Sequence, residues 1–581
     1  MSLSLLQTAR REIAQRLAQI LTAQGSQLDE AWLKWETPPQ RELGHLALAC
    51  FPFAKAWRKG PPQIAQDLAQ AWGQHPLFSQ VQAAGPYLNF FLSDTALVGQ
   101  IAAAQQPGFG HSQTGHNKRL LLEYSSPNTN KPLHLGHGRN NLLGMCLARL
   151  LETQGYEVVK VNLVNDRGIH ICKSMLAYQK WGQGATPEGR GQKGDKLVGD
   201  FYVLYDKKLK EAPDLEAEAQ ALLRAWEAGD PPTLALWQQM NQWVYTGFSA
   251  TYQRLGCEFD RYYYESQTYQ GGRELVLKAL EQGICQQEEN GAVSIDLEAE
   301  GLGKKILLRG DGTSMYITQD LNTTLTKYQD YGPLEAALFV VGNEQDNHFR
   351  VLFKTLERFG FDWATSCEHI SYGMITLPEG KMKSREGTVV DLDDLLNQLR
   401  DLALSEIEDR ANFGPQETEL KAFTAEALGQ AALKFFILRS GAAKEIQFNP
   451  QESLSFEGQT GPYLQYVHAR LSSLLAKADA AGLTTLPLPP LVALVPAEQA
   501  LLLQLAHYQT ALAEAAETRN PATLATWVYQ FCKLFNQFYF ECRILDEAEP
   551  VRSLRLQLAK ACQAVLAQSL QILGIHPLNK M

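Results

Sequence analysis

Between Leu120 and Arg139 the chain reads Leu-Leu-Leu-Glu-Tyr-Ser-Ser-Pro-Asn-Thr-Asn-Lys-Pro-Leu-His-Leu-Gly-His-Gly-Arg, and no other stretch restricts the fold as much. A short apolar run ends in polar residues, turns through a proline-bearing loop and enters a helix-like segment at Gly136. Strand, loop and helix start in that order form the corner that α/β folds use to hold a nucleotide, because the first turn of a helix offers unpaired N–H groups to phosphate. Gly136 has no side chain, so a ligand can approach the backbone there. His134 and His137 can donate hydrogen bonds to phosphate oxygens as negative charge develops. A lone His-x-Gly-His is also an ordinary surface corner, so its company elsewhere in the chain decides its meaning.

At 581 residues the chain exceeds a single hydrophobic core, and three or four domains are expected. No stretch approaches the roughly 18 uninterrupted apolar residues that cross a bilayer. The N-terminus alternates Arg10, Arg11, Glu12 and Arg16 with Ile13, Leu17, Ile20 and Leu21, which is an amphipathic helix and not a targeting segment. Nine cysteines (50, 146, 172, 257, 285, 367, 532, 542 and 562) include no CxxC pair. That argues against a disulfide framework or a structural metal and fits a reducing cytoplasm. The net charge of −10 resides almost wholly in the middle of the chain: residues 1–115 carry eight Lys/Arg against seven Asp/Glu, and 431–581 twelve against eleven. Near-neutral ends permit contact with RNA.

Along the chain, residues 1–115 read as a helix followed by mixed structure, with a strand over Gly85–Leu92 and a Gly- and Gln-rich linker over 105–115. From Lys118 a strand, the motif loop and a helix to about Gln154 form one βα unit, and a second strand spans Val158–Val164. Residues of about 170–300 interrupt the rhythm with helical, charged sequence. Within them Gly189-Arg-Gly-Gln-Lys-Gly194 is a literal GxGxxG, but no strand precedes it, so it reads as a flexible loop. No P-loop occurs. The α/β rhythm resumes with strands at Ala336–Val341 and His369–Thr376 around a helix over 348–359. After Asp391 the sequence is helical to the end, broken by a Pro-rich linker at 486–495. The Trp527, Phe531, Leu534, Phe535, Phe538 stripe has helix spacing and reads as bundle core. The expected architecture is therefore multidomain α/β plus all-α. It has an N-terminal α+β domain (1–115), a Rossmann-like parallel-sheet catalytic domain with the long insertion (116–395) and a C-terminal helical bundle (396–581).

A second stretch, Leu377-Pro-Glu-Gly-Lys-Met-Lys-Ser-Arg-Glu-Gly-Thr388, is a basic, glycine-flanked loop following a predicted strand. Together with His-x-Gly-His it resembles the HIGH and KMSKS signatures of class I aminoacyl-tRNA synthetases. Over nearly the whole chain the resemblance narrows to the arginyl-tRNA synthetase family. The narrower match is carried by Glu123–Asn128 running into Lys131–His137, by Asp311-Gly-Thr-Ser-Met-Tyr316-Ile-Thr-Gln-Asp320, by Gln345-Asp-Asn-His-Phe349 and by Gly461-Pro-Tyr-Leu-Gln-Tyr-Val-His-Ala-Arg470.

The resemblance implies an arginine–tRNA ligase that uses ATP with Mg²⁺, L-arginine and tRNA(Arg), acts in the cytoplasm as a monomer and needs no membrane or structural metal. It places arginine among Glu123, Ser126, Asn128, His137, Tyr316, Asp320 and Gln345. A planar, always charged guanidinium demands carboxylates and fixed acceptors of this kind. It places ATP at Lys131, His134, Gly136, His137, Lys381, Met382, Lys383 and Ser384, with Lys131, His134, His137, Lys381 and Lys383 acting on the phosphates. Here the loop reads Lys-Met-Lys-Ser, which displaces the second lysine, and Lys131 stands where many relatives compensate. Tyr87 and Asn89 match the region that meets the outer corner of tRNA. Rival readings are a synthetase for cysteine or glutamine, a catalytically inert synthetase-like binder and a small nucleotidylyltransferase. The absent CxxC weighs against cysteine, the intact motifs against the inert binder, and the length and helical C-terminal region against the small enzyme.

Overall fold

The computed structural model describes residues 4–23, 25–269, 271–378, 390–410, 413–414, 416–483, 487 and 493–581. The helix Leu5–Ala23 buries Leu6, Ile13, Leu17 and Leu21. It belongs to an N-terminal unit whose antiparallel sheet has the order β1-β2-β4-β3, with β1 at Trp35–Glu36, β2 at Leu46–Ala49, β3 at Phe78–Ala84 and β4 at Tyr87–Leu92.

The central sheet contains five parallel strands, β5 (Arg119–Glu123), β6 (Glu157–Val164), β7 (Arg261–Tyr264), β11 (Ala336–Gly342) and β12 (Cys367–Tyr372), in the order β12-β11-β5-β6-β7. The chain runs outward from β5 to β7 on one side, then returns to place β11 and β12 on the other. The crevice beyond the carboxyl ends of β5 and β11 is the topological switch point, where such sheets bind ligands. Parallel strands covered on both faces are apolar throughout, and Leu120, Leu121 and Leu122 are buried accordingly. The crossover helix Leu135–Thr153 packs so closely on β5 that a Cβ at Gly144 would lie 2.3 Å from the Tyr124 ring. Tyr124 is buried beneath it and donates its hydroxyl proton to Glu258 O at 2.6 Å.

The region from 170 to 300 is not a plain helical interruption. Helices Ile169–Trp181, Gly194–Leu209, Leu215–Glu227 and Pro231–Leu255 lead into β7, a full member of the parallel sheet. A separate antiparallel sheet follows, ordered β10-β9-β8, with β8 at Gln286–Gln287, β9 at Val293–Leu297 and β10 at Gly303–Leu308. As an edge strand, β7 buries only Tyr263, so it lacks the apolar pattern of its neighbours. The GxGxxG segment is built rather than loose. Pro187–Arg190 forms a helical turn, and Gly194 opens a helix so close to Trp243 that a Cβ would lie 2.2 Å from its carbonyl oxygen. The expected strand at His369–Thr376 starts two residues earlier and breaks at Gly373, leaving Ile375–Thr376 as β13, which pairs with β14 (Ile446–Gln447).

The expected 105–115 linker is docked instead. Gln105 Nε2 donates to Gln557 O at 3.2 Å, Gly108 N donates to Gln568 Oε1 at 3.2 Å, and the Phe109 ring stacks on Tyr508. The C-terminal helices include Leu392–Arg410, Thr418–Leu438, Gly461–Ala480, Pro521–Glu541 and Val551–Ile572. The expected boundary at 395/396 falls inside the first of these. The aromatic stripe is core, since Phe531, Phe535 and Phe538 are fully enclosed and Trp527 nearly so. No helix among the described residues is long and apolar enough to cross a membrane.

Candidate active site

After β5 the backbone takes left-handed conformations at Ser125 (φ 79°) and Ser126 (φ 46°), unusual for residues with a side chain. Two buried asparagines hold this turn. Ser125 N donates to Asn140 Oδ1 at 2.5 Å, and Ser126 N donates to Asn162 Oδ1 at 3.1 Å. Ser126 Oγ is enclosed and has no hydrogen-bond partner among the described residues, so a polar ligand atom is the group that would satisfy it. Asn128 is exposed on the same loop, bridged at its backbone to Asn165.

The helix Leu135–Thr153 starts with its own cap. His134 Nδ1 accepts from Gly136 N at 3.1 Å, and His137 Nδ1 accepts from His134 N at 3.2 Å. Because each Nδ1 accepts a backbone proton, each neutral ring carries its own proton on Nε2, free to donate outward. Both rings stay neutral. Burial, reinforced by the charge of Lys131, pushes His134 down to about 3, and burial with His134 and Lys131 holds His137 well below the usual histidine range. Burial also lowers Lys131. The rings lie 3.8 Å apart, centroid to centroid, and a Cβ on Gly136 would come within 3.0 Å of the His134 ring. The result is a helix N-terminus with two neutral donors and one cation, suited to polyphosphate.

Lys381, Met382, Lys383 and Ser384 lie outside the described residues, but the described residues on both sides of them are fixed to the His-x-Gly-His segment. On the exit side Leu135 N donates to Val390 O at 3.3 Å and Leu392 N donates to Leu133 O at 2.9 Å. On the entry side Arg139, fully buried, spreads its guanidinium over four carbonyls: Gly373 (2.7 Å), Met374 (3.0 Å), Ala442 (2.8 Å) and Lys444 (2.7 Å). Burial lowers its pKa to about 10, which leaves it charged.

Beside this corner the carboxyl ends of the strands gather acids. Glu123, at the end of β5, is buried and ion-paired with Lys327. Asp320 Oδ2 accepts from His348 Nε2 at 2.7 Å, which joins the helix Tyr316–Tyr331 to the helix Asp346–Arg358. Tyr316, one turn before Asp320, is 75% exposed, and Gln345 is exposed on the turn after β11. Glu265, directly after β7, is pushed up to about 7 by burial, partly offset by Arg167 and reinforced by Asp320 and Asp166. Asp166 is itself enclosed and accepts from Ser266 N (2.9 Å), Ser266 Oγ (2.7 Å) and Tyr245 OH (3.0 Å). Lys327, which pairs with Glu123, stands on the same helix as Asp320, and Asp320 is near enough to Glu265 to raise it by like charge. Tyr87 and Asn89 stand apart, on the N-terminal sheet. The Tyr87 ring packs edge-on against Phe51 at 6.0 Å, and Phe51 is 54% exposed. Asn89 is only 3% exposed, and its Oδ1 lacks a partner among the described residues.

Sequence reasoning missed Glu265, Lys327, Asn140, Asn162, His348 and the role of Arg139. Arg139, Asn140 and Asn141 left a trace, three successive polar residues ahead of the largely apolar run Leu142–Leu151, and all three are buried. The others look ordinary until the fold pairs them.

A doubly wound parallel sheet, a His-x-Gly-His helix start at its switch point and a helical C-terminal bundle define a class I tRNA synthetase. Residues 100–449 match the class I (R) tRNA synthetase catalytic domain, 7–92 the arginyl-tRNA synthetase N-terminal domain and 464–581 the DALR anticodon-binding domain. The chain belongs to the arginyl-tRNA synthetase family. It is 44% identical over 564 residues to an arginine–tRNA ligase of Porphyromonas gingivalis, covering 93% of this chain and 94% of the relative. It is likewise 44% identical over 582 residues to one of Bacteroides fragilis (96% and 97%). Among solved structures, the arginyl-tRNA synthetase of Thermus thermophilus matches with a TM-score of 0.82 at 28% identity, covering 98% of this chain and all of that one.

Proposed function

We propose that this chain is an arginine–tRNA ligase that joins L-arginine to tRNA(Arg) in two steps at the crevice between β5 and β11. The observation that supports this reading is that the end of β5 leads from the buried, paired Glu123 through a turn held by Asn140 and Asn162 to a helix start capped by two neutral histidines.

In the first step the arginine carboxylate attacks the α-phosphorus of ATP, the P–O bond to the β-phosphate breaks, and pyrophosphate leaves with its electron pair. No covalent bond to the enzyme forms. The chain contributes position and electrostatics: Nε2–H groups of His134 and His137 donate to the phosphates, the helix N-terminus faces them, and Lys131 supplies charge. Lys381 and Lys383 are assigned to the leaving pyrophosphate, with Met382 and Ser384 completing the ATP contacts. Mg²⁺ enters as the ATP complex and neutralises the phosphates; among the described residues no group of three His, Cys, Asp or Glu side chains is placed to hold a metal ion. Asp320 and Glu265 face the guanidinium, with Tyr316 closing over it. Glu123, Ser126, Asn128, His137 and Gln345 take the α-amino end. In the second step the terminal tRNA ribose attacks the adenylate carbonyl and AMP departs. The N-terminal unit, through Tyr87 and its neighbour Phe51, holds the outer corner of tRNA, with Asn89 beneath them, and the C-terminal bundle holds the anticodon. The three-domain division, a monomeric state and a cytoplasmic location complete the proposal.

ATP–pyrophosphate exchange with arginine, glutamine and cysteine, each with and without total tRNA, tests the reading. Exchange with arginine alone, and only when tRNA is present, is expected. Exchange with glutamine or cysteine would overturn the substrate assignment; the dependence on tRNA is a separate expectation that rests on family membership alone, and equal rates without tRNA would overturn it.

A further inference from the structure

We infer that Lys327 is a positioning residue for arginine activation, holding the Glu123 carboxylate at the end of β5 and tying to it the helix that carries Tyr316 and Asp320. The inference rests on the reading of this cleft as the arginine pocket. Lys327 follows Asp320 by seven residues, two turns, so both lie on one face of the helix Tyr316–Tyr331. Its ammonium donates to Glu123 Oε2, and the two side chains are only 3% and 5% exposed. The same ammonium lies 5.7 Å from the Tyr263 ring centre on β7 and 5.5 Å from that of Phe339 on β11. Tyr263 OH in turn donates to Asp330 Oδ2 at 2.7 Å, a second tie between β7 and this helix. One buried cation therefore meets residues of three strands of the sheet, level with the carboxyl end of β5.

Stability alone explains such a pair poorly, because apolar replacement of a buried ion pair is often neutral or stabilising. A carboxylate enclosed this deeply is costly without a cation beside it and turns out of the position that Lys327 fixes, so it meets a substrate ammonium less well. Lys327 occupies one oxygen of a group with about four acceptor sites, so substrate N–H groups can still bind the same carboxylate. It also fixes the distance between the strand end that bears Glu123 and the helix face that bears Asp320. Lys327 touches neither ATP nor the reacting atoms, so its effect passes through arginine binding.

The test uses the full chain with tRNA present and measures KM for arginine and for ATP separately by pyrophosphate exchange. K327M is expected to raise KM for arginine by about tenfold or more with KM for ATP within about twofold, and K327R, which keeps the cation, to stay within about threefold for both. Because Lys327 acts through Glu123, the E123Q/K327M pair should lose no more than the worse single variant. Equal rises in both KM values, or losses that multiply in the double variant, overturn the inference. D320N separates it from the pocket reading. A rise in arginine KM for D320N but not K327M refutes the role of Lys327 alone, whereas an unchanged arginine KM in D320N refutes the pocket. Circular dichroism establishes folding. Should K327M not fold, K327R decides, and a rise in its arginine KM beyond about tenfold refutes the role.

Discussion

Replacing Arg139 with lysine keeps a positive charge but removes the planar fork. The guanidinium serves two pairs of carbonyls at once: Nη1 donates to Gly373 and Met374, and Nη2 to Ala442 and Lys444. A lysine ammonium is a single point and can satisfy one pair, so about two charge-assisted bonds are lost, each worth roughly 1.5–3 kcal/mol. The site is buried, so few waters can replace them, and relaxation leaves a net loss of about 3 kcal/mol. A cooperative unit the size of the 100–449 segment unfolds with an entropy of about 0.7 kcal/mol per degree, which converts this to a fall in Tm of roughly 4 °C. Gly373 and Met374 precede Lys381–Ser384 in the chain, so on the proposed assignment of those residues to ATP, R139K should also raise KM for ATP by about tenfold, with KM for arginine less affected. Calorimetry and pyrophosphate exchange read the two effects. An R139K protein that melts within a degree of wild type and keeps its KM for ATP would refute the claim that this residue anchors the loop.

On the proposed assignment of Asp320 to the guanidinium, Asp320→Asn removes a charge while keeping the shape, and should raise KM for arginine by about 10- to 100-fold with KM for ATP nearly unchanged. His134 has a folded-state pKa near 3, far below the ordinary histidine value of 6.5. The unfolded chain therefore binds the extra proton between those values, so this contribution is complete above pH 6.5 and is lost as pH falls towards 3. His134→Asn, which can still cap the helix but does not titrate, should flatten the decline of stability between pH 6 and 5 by up to about 1.4 kcal/mol per pH unit, measurable by urea unfolding. On the proposed contact of Tyr87 with tRNA, Tyr87→Ala should raise KM for tRNA by about tenfold while sparing KM for arginine and ATP.

The corner from Leu120 to Arg139 was legible because each part carries a local signal: an apolar run, a proline-bearing loop, then histidines and glycines at a helix start. The aromatic stripe from Trp527 to Phe538 was legible for the same reason, since helix periodicity is local. The edge strand β7 was not, because a sheet edge needs only one buried residue and Arg261-Tyr-Tyr-Tyr264 supplies no alternation. The 105–115 segment has the composition of a linker, yet the Gln105 side chain bonds the Gln557 carbonyl and the Gly108 N–H the Gln568 side chain, both more than 450 residues away. Composition holds no information about such partners. Lys327 and Glu123 show the same limit in the site: 204 residues separate an ordinary helix lysine from an ordinary strand-end glutamate, and only the sheet order brings them together. Glu265 follows three tyrosines and gave no signal until β7 placed it beside Asp320. For Asp320, Tyr316 and Gln345 the expectation came from the resemblance alone, because no local pattern sets them apart.

The most direct test of the central claim is aminoacylation. The full chain is incubated with ATP, Mg²⁺, total tRNA and each of the twenty amino acids in radiolabelled form, and label in the tRNA is measured with and without ribonuclease treatment. Label entering tRNA from arginine alone, and lost on ribonuclease digestion, is the result this account predicts. Label from any other amino acid, or none from arginine under conditions where the folded chain binds tRNA, would contradict it.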